Sequence, residues 1–138
     1  MNKIIIMGRL TRDPDVRKIT MQDGSEVTIA RYTLAIERKL SKEMRVKEGV
    51  QEADFVSTVA FGKAGDFAEK YLKKGAKVVV TGRIQTGSYT NKDGQKIYTT
   101  DVVAEEQEFA ESKRESSFDR QSRDEALLNS YMPNSLTA

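Results

Sequence analysis

Apolar and polar residues alternate with a period of two through most of the N-terminal part of this chain, the spacing of half-buried strands. The stretch Lys3-Ile4-Ile5-Ile6-Met7-Gly8-Arg9-Leu10 is a β run, and Asp13-Pro14-Asp15 is a turn in which proline fixes φ. Asp23-Gly24 is a hairpin signal leading into a long strand over Ser25–Leu40. Its even positions (Ala30, Tyr32, Leu34, Ile36) are more apolar than its odd ones (Arg31, Thr33, Glu37). A polar, charged loop spans Ser41–Glu52, and Ala53–Gly62 is strand again. The period then changes. Asp66–Lys74 carries its apolar residues at helical spacing, with Gly75 as the stop. Lys77–Gln85 is a valine-rich strand, and Asn91–Gln95 is a hairpin loop between Tyr89 and Tyr98, with a last strand to about Ala104.

The order is β-β-β-α-β-β, an all-β chain with one short helix. A small antiparallel barrel in that order is the signature of an OB-fold, a five-stranded Greek-key barrel. All nine glycines lie between Gly8 and Gly94, whereas residues 111–138 hold six serines, no glycine and only Pro133. A folded domain over 1–110 and a largely disordered tail over 111–138 are therefore expected.

Composition narrows the chemistry. There is no Cys, His or Trp, which removes disulfides, thiolate or imidazole metal sites and Ser-His or Cys-His nucleophile pairs. No catalytic residue, metal or cofactor is expected. No apolar run reaches the roughly 20 residues of a membrane span, and the N-terminus lacks the pattern of a signal peptide. A soluble, cytoplasmic protein without membrane partners is expected. The net charge of +2 averages two unlike parts. Residues 1–104 hold 19 basic against 13 acidic residues, net +6, and residues 105–138 hold 4 against 8, net −4. A basic body hints at a polyanionic partner.

Strand parity sorts that body into faces. Phe55, Ser57, Val59 and Phe61 share one side of their strand, with Val56, Thr58 and Ala60 on the other. Lys77, Val79, Thr81, Arg83 and Gln85 share a side on the next strand, and continued alternation adds Tyr89. Phe55, Phe61 and Tyr89 among lysines and arginines would suit single-stranded nucleic acid, where bases stack on rings and cations follow phosphates. The same Phe-x-x-x-Val-x-Phe pattern equally describes a core face, and parity alone leaves both readings open.

A resemblance favours the first. The opening Met1-Asn2-Lys3-Ile4-Ile5-Ile6-Met7-Gly8-Arg9-Leu10-Thr11-Arg12-Asp13-Pro14-Asp15-Val16-Arg17 resembles that of the bacterial single-stranded DNA-binding proteins. So do Tyr32-Thr33-Leu34-Ala35, Ala53-Asp54-Phe55, Val59-Ala60-Phe61-Gly62-Lys63, Tyr71-Leu72-Lys73-Lys74-Gly75, Gly82-Arg83-Ile84-Gln85-Thr86 and Tyr89-Thr90-Asn91-Lys92-Asp93-Gly94-Gln95. The blocks fall in family order through about residue 109. The resemblance implies an OB-fold homotetramer, nucleoid-associated, that wraps single-stranded DNA in replication, recombination and repair. It implies base stacking on Phe55, Phe61 and Tyr89, with Leu40 at a fourth stacking position that is often aromatic. It also implies phosphate contacts at Lys3, Arg9, Arg31, Lys63, Lys74 and Arg83. Arg38, Lys39, Lys42, Arg45 and Lys47 lie in a loop where such proteins commonly clamp the strand.

The tail departs from the family. Cellular members end in an acidic tip with a terminal Pro-Phe that recruits replication and repair proteins; this sequence ends Asn134-Ser135-Leu136-Thr137-Ala138. The difference fits a plasmid or other mobile-element member. Ser122-Arg123-Asp124-Glu125 instead fits a capping box before Leu127, Leu128, Tyr131 and Met132, a short amphipathic helix or a disordered end. Two rival functions remain: an OB-fold primosomal or RNA-binding module, and an enzyme holding Mg²⁺ on Asp13, Asp15 and Asp54.

Overall fold

A computed structural model describes residues 1–111; the expectations for the tail, the capping box included, lie outside the described residues. Strand β1 is Ile4–Leu10, β2 Asp15–Thr20, β3 Glu26–Glu37, β4 Ala53–Phe61, β5 Lys77–Thr90 and β6 Lys96–Phe109. A single helical turn, α1, occupies Lys42–Arg45, and helix α2 is Lys63–Tyr71. The sheet order β1-β5-β6-β4-β3-β2, with β1 also paired to β3, closes the sheet on itself. The pairs are antiparallel except β4–β6, which run parallel at Thr58↔Val102, Val59↔Val103 and Ala60↔Ala104. This is the OB-fold barrel.

Six hydrogen-bonded segments make a five-stranded barrel because β1 and β2 are one strand broken in the middle. Both run antiparallel to β3, with Leu10↔Leu34 before the break and Asp15↔Arg31 after it. Four residues, Thr11–Pro14, thus face two, Tyr32 and Thr33. Pro14 lacks the N–H needed to continue the ladder. Asp13 Oδ1 accepts the Lys74 N–H at 2.8 Å, tying the break to the segment after α2. The turn is legible in the sequence and the strand beyond it is not, because Arg17, Lys18 and Thr20 leave β2 with little apolar alternation.

The barrel interior is built from alternate residues. Thr28, Ala30, Tyr32 and Leu34 of β3, Thr58 and Ala60 of β4, and Val78 and Val80 of β5 are all buried. They join Leu10, Val102, Ala104, Ala68 and Leu72 in the core, where a fully buried Val or Leu contributes about 1.5–3 kcal/mol. The Tyr32 hydroxyl bonds Gln107 Oε1 at 2.6 Å, and Gln107 Nε2 donates to the Ala64 carbonyl at 2.9 Å. Burial pushes the Tyr32 hydroxyl pKa far above its ordinary value. Inward-facing Gln107 follows from a bulge. Thr81 pairs with Glu106 and Gly82 with Ala104, so Glu105 is an extra residue that shifts the parity of β6. Gln107 and Phe109 thereby turn inward, and Phe109 packs against the core and 5.9 Å from the Phe67 ring. A Cβ on Gly82 would collide with the Val103 carbonyl at this crossing.

Helix α2 starts three residues before the expected Asp66 and ends at Tyr71 instead of Lys74. At φ +61°, Gly62 swings the chain out of β4, while its N–H donates to the Thr28 carbonyl at 2.9 Å. A Cβ on Gly65 would lie 2.5 Å from that carbonyl, so only glycine lets the first turn sit on the strands. Glycines carry no apolar weight in a helical period, so the start of α2 is not visible in the pattern. At the other end, Leu72 takes extended dihedrals and is buried in the core, which ends the helix before Gly75. The turn α1 forms where a loop is expected, with Ser41 Oγ capping it by accepting from the Met44 N–H at 3.2 Å.

Candidate nucleic-acid interface

Register across β3, β4, β6 and β5 lines up one transverse row on the outside of the barrel: Arg31↔Val59, Val59↔Val103 and Val103↔Arg83. Val59 and Val103 are buried at 2% and 7% exposure, yet neither packs into the contiguous apolar core of the barrel interior. They are an apolar floor between two arginines. On β4 the rings Phe55 and Phe61 lie on the same side as Val59 and are 63% and 43% exposed. Thr58 and Ala60, the alternate set, are at 0%. The parity that sequence left open is thus settled: Val56-Thr58-Ala60 faces the core and the phenylalanines face out. Tyr89, 57% exposed, follows Arg83 and Gln85 on the outer side of β5. An open groove of about 660 Å³ runs beside this row, lined by Arg31, Ser57, Gln85, Tyr89, Thr99 and Asp101 among others.

Arg31, Arg83, Phe55, Phe61 and Tyr89 therefore share one outer surface. Arg83 Nη1 donates to Gln85 Oε1 at 3.0 Å. Arg38 follows β3 directly and is held by Asp54, the neighbour of Phe55, through Nε at 3.0 Å and Nη2 at 2.6 Å, both to Oδ1. That hydrogen bond raises the Arg38 pKa and lowers the Asp54 pKa from their ordinary values. Lys39, Lys42, Arg45 and Lys47 are exposed in the β3–β4 connection. Leu40 is half-buried there, three residues beyond the end of β3 instead of on it, lining a small groove with Glu37, Arg38, Arg45 and Glu52. Lys3 precedes β1 and lies 3.7 Å from Glu105. The remaining cations are elsewhere. Arg9 donates to the Gly75 carbonyl at 2.9 Å and pairs with Glu111, Lys63 opens α2, and Lys74 follows it. None of the three lines the groove.

Sequence reasoning overlooked Asp101 and Thr99 in this wall. Once β6 is registered against β5 through the Asn91–Gln95 hairpin, Gln85↔Asp101 and Gly87↔Thr99 follow; parity along β5 alone does not reach them. The carboxylates of the enzyme reading serve separate partners: Asp13 takes the Lys74 N–H, Asp15 sits 3.9 Å from Arg17, and Asp54 holds Arg38. Among the described residues no helix is long and apolar enough to cross a membrane.

The profile of the Single-strand binding protein family matches residues 1–110. The chain belongs to that family. Among similar proteins is a single-stranded DNA-binding protein of Clostridium perfringens, 45% identical over 112 residues, covering 81% of this chain and 67% of the relative. Single-stranded DNA-binding protein 3 of Clostridium acetobutylicum is 43% identical over 111 residues, 80% of this chain and 72% of the relative. Single-stranded DNA-binding protein 1 of Staphylococcus aureus is 43% identical over 113 residues, 82% and 67% respectively. As a member of the single-strand binding protein family the chain is a DNA-binding protein, and its barrel is the part that matches.

Proposed function

We propose that the chain binds single-stranded DNA without sequence preference, stacking bases on Phe55, Phe61 and Tyr89, with apolar contact at Leu40. The observation that carries the reading is three exposed rings on the surface that also holds the Arg31–Val59–Val103–Arg83 row. Each stacked base is worth about 1–3 kcal/mol, and every base has a π-face, so no sequence is selected. Arg31, Arg38, Lys39, Arg83 and Lys3 receive phosphates, with Arg9, Lys63 and Lys74 continuing the path on other parts of the barrel. A duplex hides its base faces, which accounts for the preference for single strands. The protein needs no catalytic step. Its place is with DNA in the cytoplasm, in replication, recombination and repair.

The functional unit is a homotetramer. Ile5 and Met7, on the outer side of β1, are 69% and 49% exposed, and Met7 pairs with Val79 of β5. An apolar strip of that kind on a small barrel supports subunit contact. The test is titration of labelled oligo-dT of several lengths, with the mass of each complex measured. Saturable binding that falls as salt rises, with several protomers per strand, is expected. Equal affinity for the matching RNA would favour the RNA-binding alternative, and absence of binding would refute the proposal.

A further inference from the structure

Four of the eight cations assigned to phosphates are paired with carboxylates in the free chain: Lys3 with Glu105, Arg9 with Glu111, Arg31 with Asp101 and Arg38 with Asp54. Among the described residues, Lys39, Lys63, Lys74 and Arg83 have no carboxylate within 4 Å. Two of the four pairs lie where the rings are. Asp54 immediately precedes Phe55, and Asp101 lines the groove with Tyr89 and Arg31. Resting on the single-stranded DNA reading above, we propose that Asp54 and Asp101 are internal competitors of the DNA backbone. Each occupies the cation that an incoming phosphate must take.

The physics follows from exchange. A phosphate that binds an unpaired cation releases counterions from the strand at no other electrostatic cost. A phosphate that binds Arg38 or Arg31 must first displace a carboxylate. The Arg31–Asp101 pair is 3.7 Å apart, and Arg38–Asp54 is charge-assisted at 2.6 Å. The freed carboxylate then draws a cation from solution and offsets part of the counterion release. Both affinity and salt dependence are held below what the number of cations would produce. The two arginine side chains are 56% and 43% exposed, so a phosphate can reach them without unfolding the sheet.

The test compares full-length protein with Asp54→Asn, Asp101→Asn and the double variant, binding labelled oligo-dT over a KCl series. Glu106→Gln is the control: it removes the same charge from a residue with no cation within 4 Å among the described residues. Each Asn variant is expected to bind about two- to fivefold more tightly at low salt than the control, the range of one exposed pair. The slope of log affinity on log salt should steepen by up to about 0.7 per variant, the value of one phosphate on a single strand. The two pairs share no partner, so the double variant should approach the product of the singles. Affinity and slope equal to those of Glu106→Gln would overturn the proposal while leaving DNA binding intact. Failure of the unmodified protein to bind would instead defeat the reading on which it rests. Circular dichroism checks folding; if Asp101→Asn does not fold, Asp54→Asn decides alone by the same criteria.

Discussion

Replacing Phe55 with alanine separates a binding surface from a core. The ring is 63% exposed, so roughly a third of its surface is buried against its neighbours. A fully buried Phe→Ala change costs about 3–5 kcal/mol, which scales to about 1–2 kcal/mol for this partial burial. The melting temperature of a domain this size should fall by about 4–8 °C per kcal/mol. Loss of one stacked base costs about 1–3 kcal/mol, a weakening of about 5- to 150-fold. The companion variant is Val59→Ala, four residues along on the same side but 2% exposed. It should melt at lower temperature than Phe55→Ala and still bind once folded, because the valine underlies the surface without presenting a ring. Anisotropy of a labelled oligo-dT is the assay, since the chain has no tryptophan to report quenching. A Phe55→Ala protein that melts far below the parent and binds with unchanged affinity would place the ring in the core and refute the face assignment.

Other consequences are open to measurement. Thr58 Oγ1 is fully buried with no hydrogen-bond partner among the described residues, so Thr58→Val should raise stability by about 1–2 kcal/mol in urea unfolding, relieving an unsatisfied hydroxyl. Gly82→Ala should destabilise the fold by about 2 kcal/mol or more, because its Cβ meets the Val103 carbonyl. Ile5→Glu combined with Met7→Glu should reduce the mass measured by light scattering without lowering the monomer's helix and sheet content. With no histidine, stability should be flat between about pH 5.5 and 8. Asp54, lowered mainly by its hydrogen bond from Arg38, and Asp23, lowered mainly by that from the Ser25 side chain, contribute stability above their ordinary value near 3.8. That contribution is lost as pH falls through their depressed values, so acid melts should decline only below about pH 4.

The parts of the fold that sequence could predict are those written in side-chain periodicity. The even-numbered face of β3 is inward as its alternation indicates, with Ala30 and Leu34 at 0% exposure. Hairpin turns at Gly24 and Gly94, both with positive φ, stand where Asp-Gly pairs announce them. The features that escaped depend on backbone meeting backbone. Nothing in the side-chain pattern says that Gly65 must lie on the Thr28 carbonyl, or that Glu105 is the extra residue that turns Phe109 inward. The candidate surface was half legible. Parity grouped Phe55 with Phe61, but whether that group faced in or out depended on what the opposite set packed against. The Asp101 wall required the β5–β6 register, a relation between residues 16 apart in sequence that no local window contains.

The direction of β4 has a physical basis. Its inward set ends in Thr58 and Ala60, small residues that fit where α2 lies against the strands, with Ala68 also at 0% exposure. A barrel of this diameter is filled by such side chains, and a phenylalanine beside them would overfill it. Turning β4 over would place Phe61, at the end of β4 next to that helix, against it and expose Thr58 and Ala60, so overpacking opposes it. Leaving the rings outside forgoes their burial in the free protein, which would contribute about 1.5–3 kcal/mol for each ring fully covered. Stacked bases can restore part of that burial. The same substitution that makes the exposed side more polar, Phe61→Ser for example, should therefore cost about 2–3 kcal/mol, scaled from a fully buried ring to a residue 43% exposed, and should also cost binding. A Phe61→Ser protein that unfolds as a core variant would show that the helix-side packing does not decide which way β4 faces.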